Sequence, residues 1–137
     1  MFVAAATPAD TVPGSSLTLE QATAALAARE PIFHHPEFGT TRADFESMLA
    51  PEFWEVGASG RKYPKALVLD TLQARHTEPV EENFSVTDFA CAEIASNLYL
   101  ATYQLDQAGR LSRRATLWRY DASRWQIVYH QGTLIAA

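Results

Sequence analysis

The sequence predicts an α+β domain in which helices come first and an antiparallel sheet follows. Three segments in the first part of the chain have apolar residues at the three- and four-residue spacing of a helix face. From about residue 83 onward, four runs rich in β-branched and aromatic residues are separated by short turn-forming segments. Helices grouped before a series of strands are typical of α+β folds.

The first predicted helix runs from Leu19 to about Arg29. Thr18 can accept a hydrogen bond from the backbone of Gln21, and the Gln21 side chain can reach back, which is the capping box that opens helices. Pro31 follows the last residue of the pattern and cannot continue a helix. We therefore expect this helix to end next to Pro31.

The second predicted helix starts after Thr41, which can cap it. Phe45, Met48 and Leu49 fall on one helix face, and Pro51 is expected to end the helix. A change to strand-like residues follows from about residue 53.

Residues 53–58 are predicted to form a strand that leaves through a glycine-permitted turn at "SG". After that turn, "PKALVLDTLQAR" has helical spacing again, with Leu67, Val68, Thr71 and Leu72 grouped on one face. The sequence therefore predicts a third helix here.

Four predicted strands complete the domain, at residues 83–94, 97–105, 112–120 and 124–131. The breaks between them, "SN", "DQAGR" and "DAS", contain residues that favour turns. Consecutive strands are therefore expected to pair as antiparallel hairpins.

The later strands are apolar on both faces, which a sheet with one solvated face would not show. In the strand 97–105, Leu98 and Leu100 alternate with Tyr99, Ala101, Tyr103 and Leu105. In the strand 124–131, Trp125, Ile127 and Tyr129 alternate with Val128 and His130. One face is expected to meet the helices and the other a second subunit, so the pattern predicts a homodimer formed through the sheet.

Length and charge limit the class of protein. A chain of 137 residues with 47% apolar residues is long enough for one domain with its own core, which we place at residues 17–137 after a flexible tail at 1–16. The net charge of −5 and the isoelectric point near 5.3 argue against a nucleic-acid-binding protein, which needs a basic face. The sequence therefore predicts a single domain with no nucleic-acid partner.

Cys91 is the single cysteine, so neither an internal disulfide nor a thiolate zinc site can form. The N-terminal segment has no cationic start, and Thr7, Pro8 and Asp10 interrupt its apolar run. No uncharged apolar stretch approaches the roughly 20 residues that cross a bilayer. These features predict a cytoplasmic protein with no membrane partner.

The stretch "FWEVGASGRKYPK" combines glycines with cations, as phosphate-binding loops do. Gly57 and Gly60 are separated by two residues and followed by Arg61, Lys62 and Tyr63, whereas a P-loop has four residues between its glycines and then Lys and Ser or Thr. A third glycine opening a helix, as dinucleotide-binding folds require, is missing too. A strand ending in a turn is the simpler interpretation.

Two motifs carry a resemblance to a known family. The segment "LAPEFWEVGASGRKYPKALVLDTL", followed downstream by "RRATLWRYDASRWQIVYHQGT", resembles the nuclear transport factor 2-like superfamily, and in particular its bacterial domain-of-unknown-function 4440 branch. The resemblance covers about residues 17–135. It implies a cone, in which a strongly bent antiparallel sheet wraps around about three helices and leaves a pocket at its open end. The superfamily includes steroid isomerases, polyketide cyclases, dehydratases, epoxide hydrolases and non-catalytic carriers, so the fold alone does not give a function.

Glu55 is the first candidate catalytic residue, because it shares strand parity with Phe53 and Gly57, the phase that points inward in related cones. A carboxylate in an apolar pocket has a raised pKa and can act as a general base or acid. The alternative is a glutamate that pairs with an arginine or faces solvent. The resemblance places the base of the isomerases at Gly57, which departs from that pattern.

His130 is the second candidate, near the end of the last strand and before a glycine. Imidazole titrates near neutral pH and suits proton transfer, although a lone strand histidine is more often structural. His34 and His35 could join it and Glu55 around a metal ion, but their spacing fits no usual metal motif. No metal or cofactor is predicted.

Arg114, Thr116 and Trp118 share one strand parity, and the resemblance implies an Arg, a small hydroxyl residue and a Trp at these places. Such a set can orient an anionic or carbonyl-bearing ligand against an aromatic wall. Equally, Arg114 can pair with Glu55 while Trp118 is core. Tyr103 can donate its phenolic proton into the same cavity or be packing alone.

These features predict a small-molecule-binding pocket protein of unknown ligand, and if it is an enzyme, the predicted chemistry is cofactor-free acid–base catalysis of isomerase, cyclase or dehydratase type. In that enzyme Glu55 acts as the base, His130 or Tyr103 as the proton donor, and Arg114 as the residue that orients the substrate. The alternative is a non-catalytic dimerising scaffold whose pocket is filled by side chains.

Overall fold

The structure, a computed structural model, describes residues 17–77 and 83–136. The predicted flexible tail, residues 1–16, lies outside the described residues. The helices are α1 (Leu19–Arg29), α2 (Arg42–Met48) and α3 (Lys65–Thr77). The strands are β1 (Leu49–Val56), β2 (Lys62–Pro64), β3 (Phe84–Ala95), β4 (Leu98–Gln107), β5 (Arg110–Asp121) and β6 (Arg124–Leu134).

All six strands of the described part belong to one curved, unclosed sheet in the order β2-β1-β6-β5-β4-β3. Strands β3 to β6 form the predicted antiparallel series of hairpins. Strand β1 pairs with β6 in parallel, and β2 pairs with β1 in antiparallel fashion. The predicted α+β cone is confirmed, and the parallel β1–β6 pairing is a feature that the sequence patterns did not predict.

Helix α1 follows its local signals closely. The Thr18 side chain accepts from the Gln21 backbone, and the Gln21 side chain accepts from the Thr18 backbone, so the capping box forms. The helix ends at Arg29, one residue before its C-cap at Glu30. The predicted boundaries at both ends are confirmed.

The boundary between α2 and β1 differs from the prediction. Thr41 caps α2 as expected, with Asp44 completing the capping box. The helix then ends at Met48, and Pro51 lies inside β1 rather than at the helix end. Leu49 is already paired with Ile127 of β6, so strand pairing ends the helix before the proline is reached.

The turn after β1 forms at the predicted glycines. Gly60 has a φ of 92°, which favours glycine, and its N–H donates to the Gly57 carbonyl. The Gly57 N–H in turn donates to the carbonyl of Arg61. The chain then forms the short strand β2 before α3 begins, an element too short for the periodicity to show.

A bulge in β6 changes one predicted face. Leu117 pairs with Tyr129 and Trp118 with Ile127, so Val128 is an extra residue between them. His130 therefore lies on the same face as Ile127, and Tyr129 lies on the opposite face. The simple alternation expected for residues 124–131 is wrong at this point.

The helices cover one face of the sheet, here called the inner face, and the core lies between them. Tyr99, Ala101, Tyr103 and Leu105 of β4 are all buried, as their shared parity predicts. From the helices, the core receives Ala22, Leu26, Phe45, Val68, Leu69 and Leu72. No helix in the described part of the chain is long and apolar enough to cross a membrane.

Candidate active site and cavities

One row of side chains crosses the inner face of the sheet and holds three of the predicted site residues. Glu55 on β1 pairs with Tyr63 on one side and with His130 on the other. His130 pairs with Thr116, and Thr116 pairs with Ala101. The register therefore brings Glu55, His130 and Thr116 into one line across neighbouring strands.

A cavity of about 310 Å³, here called the charged cavity, opens beside this row, between α3 and the sheet. The polar residues that line it include three arginines and a single carboxylate. These are Glu55, Arg75, Arg110 and Arg114. Its other walls come from Phe33, Val68, Thr71, Leu72, Tyr63 and the Gly57–Ser59 turn. The stretch that first suggested a phosphate loop thus forms part of a cavity wall.

Glu55 is the carboxylate of the charged cavity. Burial raises the pKa of Glu55, while the positive charges of Arg114 and Arg75 act in the opposite direction. No salt bridge joins Glu55 to an arginine among residues 17–77 and 83–136. The carboxylate therefore sits near two cations without a direct partner, which leaves it able to accept a proton.

The Arg114 side chain is held from behind by neighbours on the sheet. Its Nε–H donates to the Ser112 hydroxyl at 2.9 Å, and one terminal nitrogen lies 3.4 Å from Nε2 of His130. The side chain passes over Gly132, where an added Cβ would lie 3.1 Å from its guanidinium carbon. These contacts hold the guanidinium in place beside the cavity that Arg114 lines.

His130 is 2% exposed and does not line the charged cavity. Its Nδ1 lies 2.9 Å from the Thr116 hydroxyl oxygen. A guanidinium can only donate, so Nε2 must accept from Arg114, and Nδ1 must carry the proton and donate to Thr116. Burial, with a further contribution from the positive charge of Arg114, lowers the pKa of His130 to about 3.

A buried carboxylate that sequence patterns did not single out lies behind this histidine. Glu30 is 3% exposed, and its two oxygens accept from the Tyr103 hydroxyl at 2.6 Å and the Trp118 indole N–H at 2.9 Å. Thr116 and the backbone of Ile32 also donate to it. Burial raises the pKa of Glu30, and these four hydrogen bonds oppose the shift.

The predicted donor Tyr103 is therefore engaged with Glu30 instead of facing Glu55. Burial and the neighbouring Glu30 carboxylate raise the pKa of Tyr103, so its phenol stays protonated. Trp118 and Thr116 belong to the same buried network. Of the six predicted site residues, Glu55 and Arg114 line the charged cavity, and the other four lie behind its wall or away from it.

A second cavity, here called the aromatic cavity, has a volume of about 200 Å³. Its walls are aromatic and aliphatic, with cationic side chains at the edge. The lining residues are Arg29, Ile32, Phe33, His35, Phe38, Met48, Trp118, Ser123, Arg124, Trp125 and Ile127. Among the described residues, Phe33 alone lines both cavities.

In the described part of the chain, no three His, Cys, Asp or Glu side chains lie close enough together to hold a metal ion. His35 instead bonds through Nε2 to the Glu30 carbonyl at 2.8 Å. Cys91 is a free, half-buried thiol whose pKa is raised by burial.

Sequence patterns missed Arg75, Arg110 and Tyr63 as cavity residues. Arg75 lies at the end of the predicted third helix, where nothing in the local pattern marks it as a cavity residue. Its guanidinium donates to the Phe33 carbonyl at 3.1 Å, which fixes it beside the cavity. Only the packing of α3 against the sheet brings these residues together.

Comparisons with known proteins give likenesses of structure alone. No family model matches the chain, and no curated protein matches it either. A nuclear transport factor 2-like protein from Cytophaga hutchinsonii superposes with a TM-score of 0.65 at 11% identity, covering 84% of this chain and 98% of that one.

Two other solved structures have provisional assignments. One, from Parabacteroides distasonis, is provisionally a ketosteroid isomerase, with a TM-score of 0.59, 12% identity, and coverage of 81% of this chain and 85% of that one. The other, from Exiguobacterium sibiricum, is provisionally a calcium/calmodulin-dependent kinase II association domain, with a TM-score of 0.64, 13% identity, and coverage of 89% and 98%. At these identities the comparisons establish architecture, and on that ground the chain has the nuclear transport factor 2-like fold.

Proposed function

We propose that the protein binds a small organic anion carrying a carbonyl group in the charged cavity. The observation that carries this proposal is the convergence of three arginines and one carboxylate, which has no ion-pair partner among the described residues, on a single cavity of about 310 Å³. An arginine fork matches a carboxylate in shape and charge. The apolar wall formed by Phe33, Val68 and Leu72 suits a short carbon chain.

The same geometry supports cofactor-free acid–base chemistry. Burial raises the pKa of Glu55, and a base whose pKa is closer to neutral transfers protons more efficiently. Glu55 would remove a proton from the carbon next to the carbonyl, and the arginines would stabilise the negative charge that forms on the oxygen. Tyr63, which lines this cavity, replaces Tyr103 and His130 as the candidate proton donor.

Binding is tested first, by thermal shift with small 2-oxo acids and with the corresponding neutral 2-oxo amides. A ligand of the native state raises the melting temperature by mass action. We expect the acids to raise it and the amides to have little effect. Arg114→Gln should abolish the response, whereas Arg113→Gln, an exposed neighbour, should keep it. Equal responses to acids and amides would contradict the anion proposal.

Catalysis is tested separately, by deuterium exchange at the carbon next to the carbonyl, followed by proton NMR in D₂O. The wild-type protein should accelerate exchange, and Glu55→Gln should reduce it to the background rate while the thermal shift persists. Acid binding without accelerated exchange would identify a carrier rather than an enzyme.

A second candidate function, a dimerising scaffold, is favoured by an apolar stripe on the outer face of the sheet, opposite the helices. Strand register places Trp54, Tyr129, Leu117 and Leu100 side by side across four strands. Trp54 is 39% exposed, and its ring lies 4.6 Å from that of Tyr129. A fold neighbour is provisionally an association domain, which agrees with assembly through this fold.

We propose that a second copy of this chain covers the stripe. Sedimentation at micromolar concentration should give a species heavier than 15.2 kDa, and Leu117→Glu should produce monomers. Leu134→Glu, at an exposed residue outside the stripe, is the matched control. A wild-type protein that sediments only as monomer would refute the homodimer. Cytoplasmic location, the single-domain boundaries 17–137 and the domain-of-unknown-function 4440 branch remain predictions from the sequence.

A further inference from the structure

The aromatic cavity is physically separate from the charged cavity and has a different composition. It lies between the segment that follows α1 and the β5–β6 hairpin, and its main walls are Phe38, Trp118 and Trp125. It lacks a lining carboxylate among the described residues. The proposed function makes no use of it.

Its aromatic walls are fixed in place by contacts that do not depend on a ligand. The Trp118 ring meets the Trp125 ring edge-to-face at 6.3 Å, and the Trp118 N–H is held by Glu30. Trp125 also packs on Tyr120, at 4.8 Å. A flat apolar group entering the cavity would therefore meet preformed ring surfaces.

The charge at the cavity edge is positive. Arg29 lies with its guanidinium carbon 4.5 Å from the centre of the Phe38 ring, and one of its nitrogens donates to the Ala25 carbonyl. The ion pairs formed among residues 17–77 and 83–136 involve neither Arg29 nor Arg124. Arg29 is half-buried and has no carboxylate partner in the described part of the chain, and such a cation can donate charge-assisted hydrogen bonds to an anion.

The volume sets the size of the ligand. An apolar cavity of roughly 150 Å³ holds one benzene ring, and pockets for drug-sized ligands start at roughly 300 Å³. The aromatic cavity, at about 200 Å³, lies between these limits. One ring with a short acidic group fits, and a fused multi-ring ligand does not.

We propose that the aromatic cavity is a second ligand site, for a single-ring aromatic carboxylate. The ring packs between Phe38 and the two tryptophans, and the carboxylate accepts hydrogen bonds from Arg29. Because the cavities share only Phe33 among the described lining residues, this site binds its ligand whether or not the charged cavity is occupied.

The test is a titration of the ¹⁵N-labelled full chain with sodium benzoate, followed through the tryptophan indole N–H signals. The chain has three tryptophans, and they report different places. Trp118 and Trp125 line the cavity, whereas Trp54 lies on the outer face and serves as an internal control. We expect saturable shifts of the first two signals and none of the third.

Three comparisons make the proposal refutable. Benzyl alcohol, a neutral analogue, should bind at least about tenfold more weakly, since a hydrogen-bonded charge is lost. Arg29→Gln should weaken benzoate binding to a similar extent, and Arg110→Gln, in the charged cavity, should leave it unchanged. Equal affinity for both ligands, or a loss with Arg110→Gln instead of Arg29→Gln, would overturn the assignment.

A measurement on the wild-type protein keeps the test valid if Arg29→Gln does not fold. Bound benzoate should give intermolecular NOEs from its ring protons to Trp118 and Trp125. NOEs confined to residues of the charged cavity, or no shift at millimolar benzoate, would refute the proposed site.

Discussion

His130 and Glu30 are expected to change the free energy of unfolding with pH in opposite directions. The pKa of His130 is lowered from 6.5 to about 3, mainly by burial. Below pH 6.5 the unfolded chain therefore binds a proton that the folded chain does not. Stability then falls as the pH drops from 6.5 toward 3, by about 1.4 kcal/mol for each pH unit.

Glu30 acts with the opposite sign. Burial raises the pKa of Glu30 above its ordinary value of 4.5, so above that pH the folded chain keeps a proton that the unfolded chain has lost. Its contribution to stability is complete below pH 4.5 and is lost as the pH rises through the folded pKa. Above pH 4.5 the two slopes have opposite signs and offset each other in the wild-type protein, until the pH reaches the folded pKa of Glu30 or 6.5.

The assay is urea unfolding, followed by tryptophan fluorescence, at several pH values between 4.5 and 6.5. Relative to wild type, His130→Gln should lose stability as the pH rises, and Glu30→Gln should gain it. His130→Gln should differ from wild type by about 1.4 kcal/mol per pH unit while the full proton difference lasts, and Glu30→Gln should deviate in the opposite direction. Glu55 titrates in all three proteins and cancels from the comparison. Curves that stay parallel to wild type would refute the burial argument.

Three further predictions concern the same region. Tyr103→Phe removes one donor from the buried Glu30 carboxyl and should lower the free energy of unfolding by about 1.5–3 kcal/mol, measured by urea unfolding. A double-mutant cycle of Glu55→Gln and Arg114→Gln should give a coupling below about 1 kcal/mol, because no direct ion pair joins them among the described residues; a larger value would indicate a buried pair. Gly132→Ala brings a methyl group to 3.1 Å from the Arg114 guanidinium and should weaken anion binding in the thermal-shift assay.

Local sequence signals predicted the elements whose limits are set locally. The capping box at Thr18, the cap at Thr41 and the glycine turn at Gly60 form as expected, because each depends on residues within one turn. The predicted end of α2 was wrong because Leu49 pairs with Ile127, a strand residue far along the chain. A helix boundary that depends on tertiary pairing leaves no mark in the local pattern.

In the candidate site too, the features set by local sequence were predicted and those set by long-range contacts were missed. Strand parity correctly put Arg114 and Thr116 on one face, since parity follows from backbone geometry. It failed at His130, where the bulge at Val128 shifts the alternation by one residue. Glu30 was missed because a charged residue after a helix is normally exposed, and its partner Tyr103 lies 73 residues away.

The hydrogen bonds of the polar network behind the charged cavity all run in the same donor-to-acceptor direction. Arg114 donates to His130, His130 to Thr116, and Thr116 to Glu30. Replacing such a network by apolar side chains is often neutral or stabilising, so stability alone does not explain it. Its physical effect is to engage one terminal nitrogen of Arg114 and so to hold the guanidinium in place beside the cavity.

This effect is testable at Thr116, which carries no charge and is fully buried. Thr116→Val keeps the volume and removes the hydroxyl that joins His130 to Glu30, so it should reduce the thermal shift caused by 2-oxo acids. Thr116→Ser retains the hydroxyl and should restore the response. The ¹⁵N chemical shifts of His130 should report the Nδ1–H tautomer in wild type and also in Thr116→Val, because Arg114 still donates to Nε2. Full acid binding in Thr116→Val would show that Arg114 is oriented by Ser112 and Gly132 without help from the network.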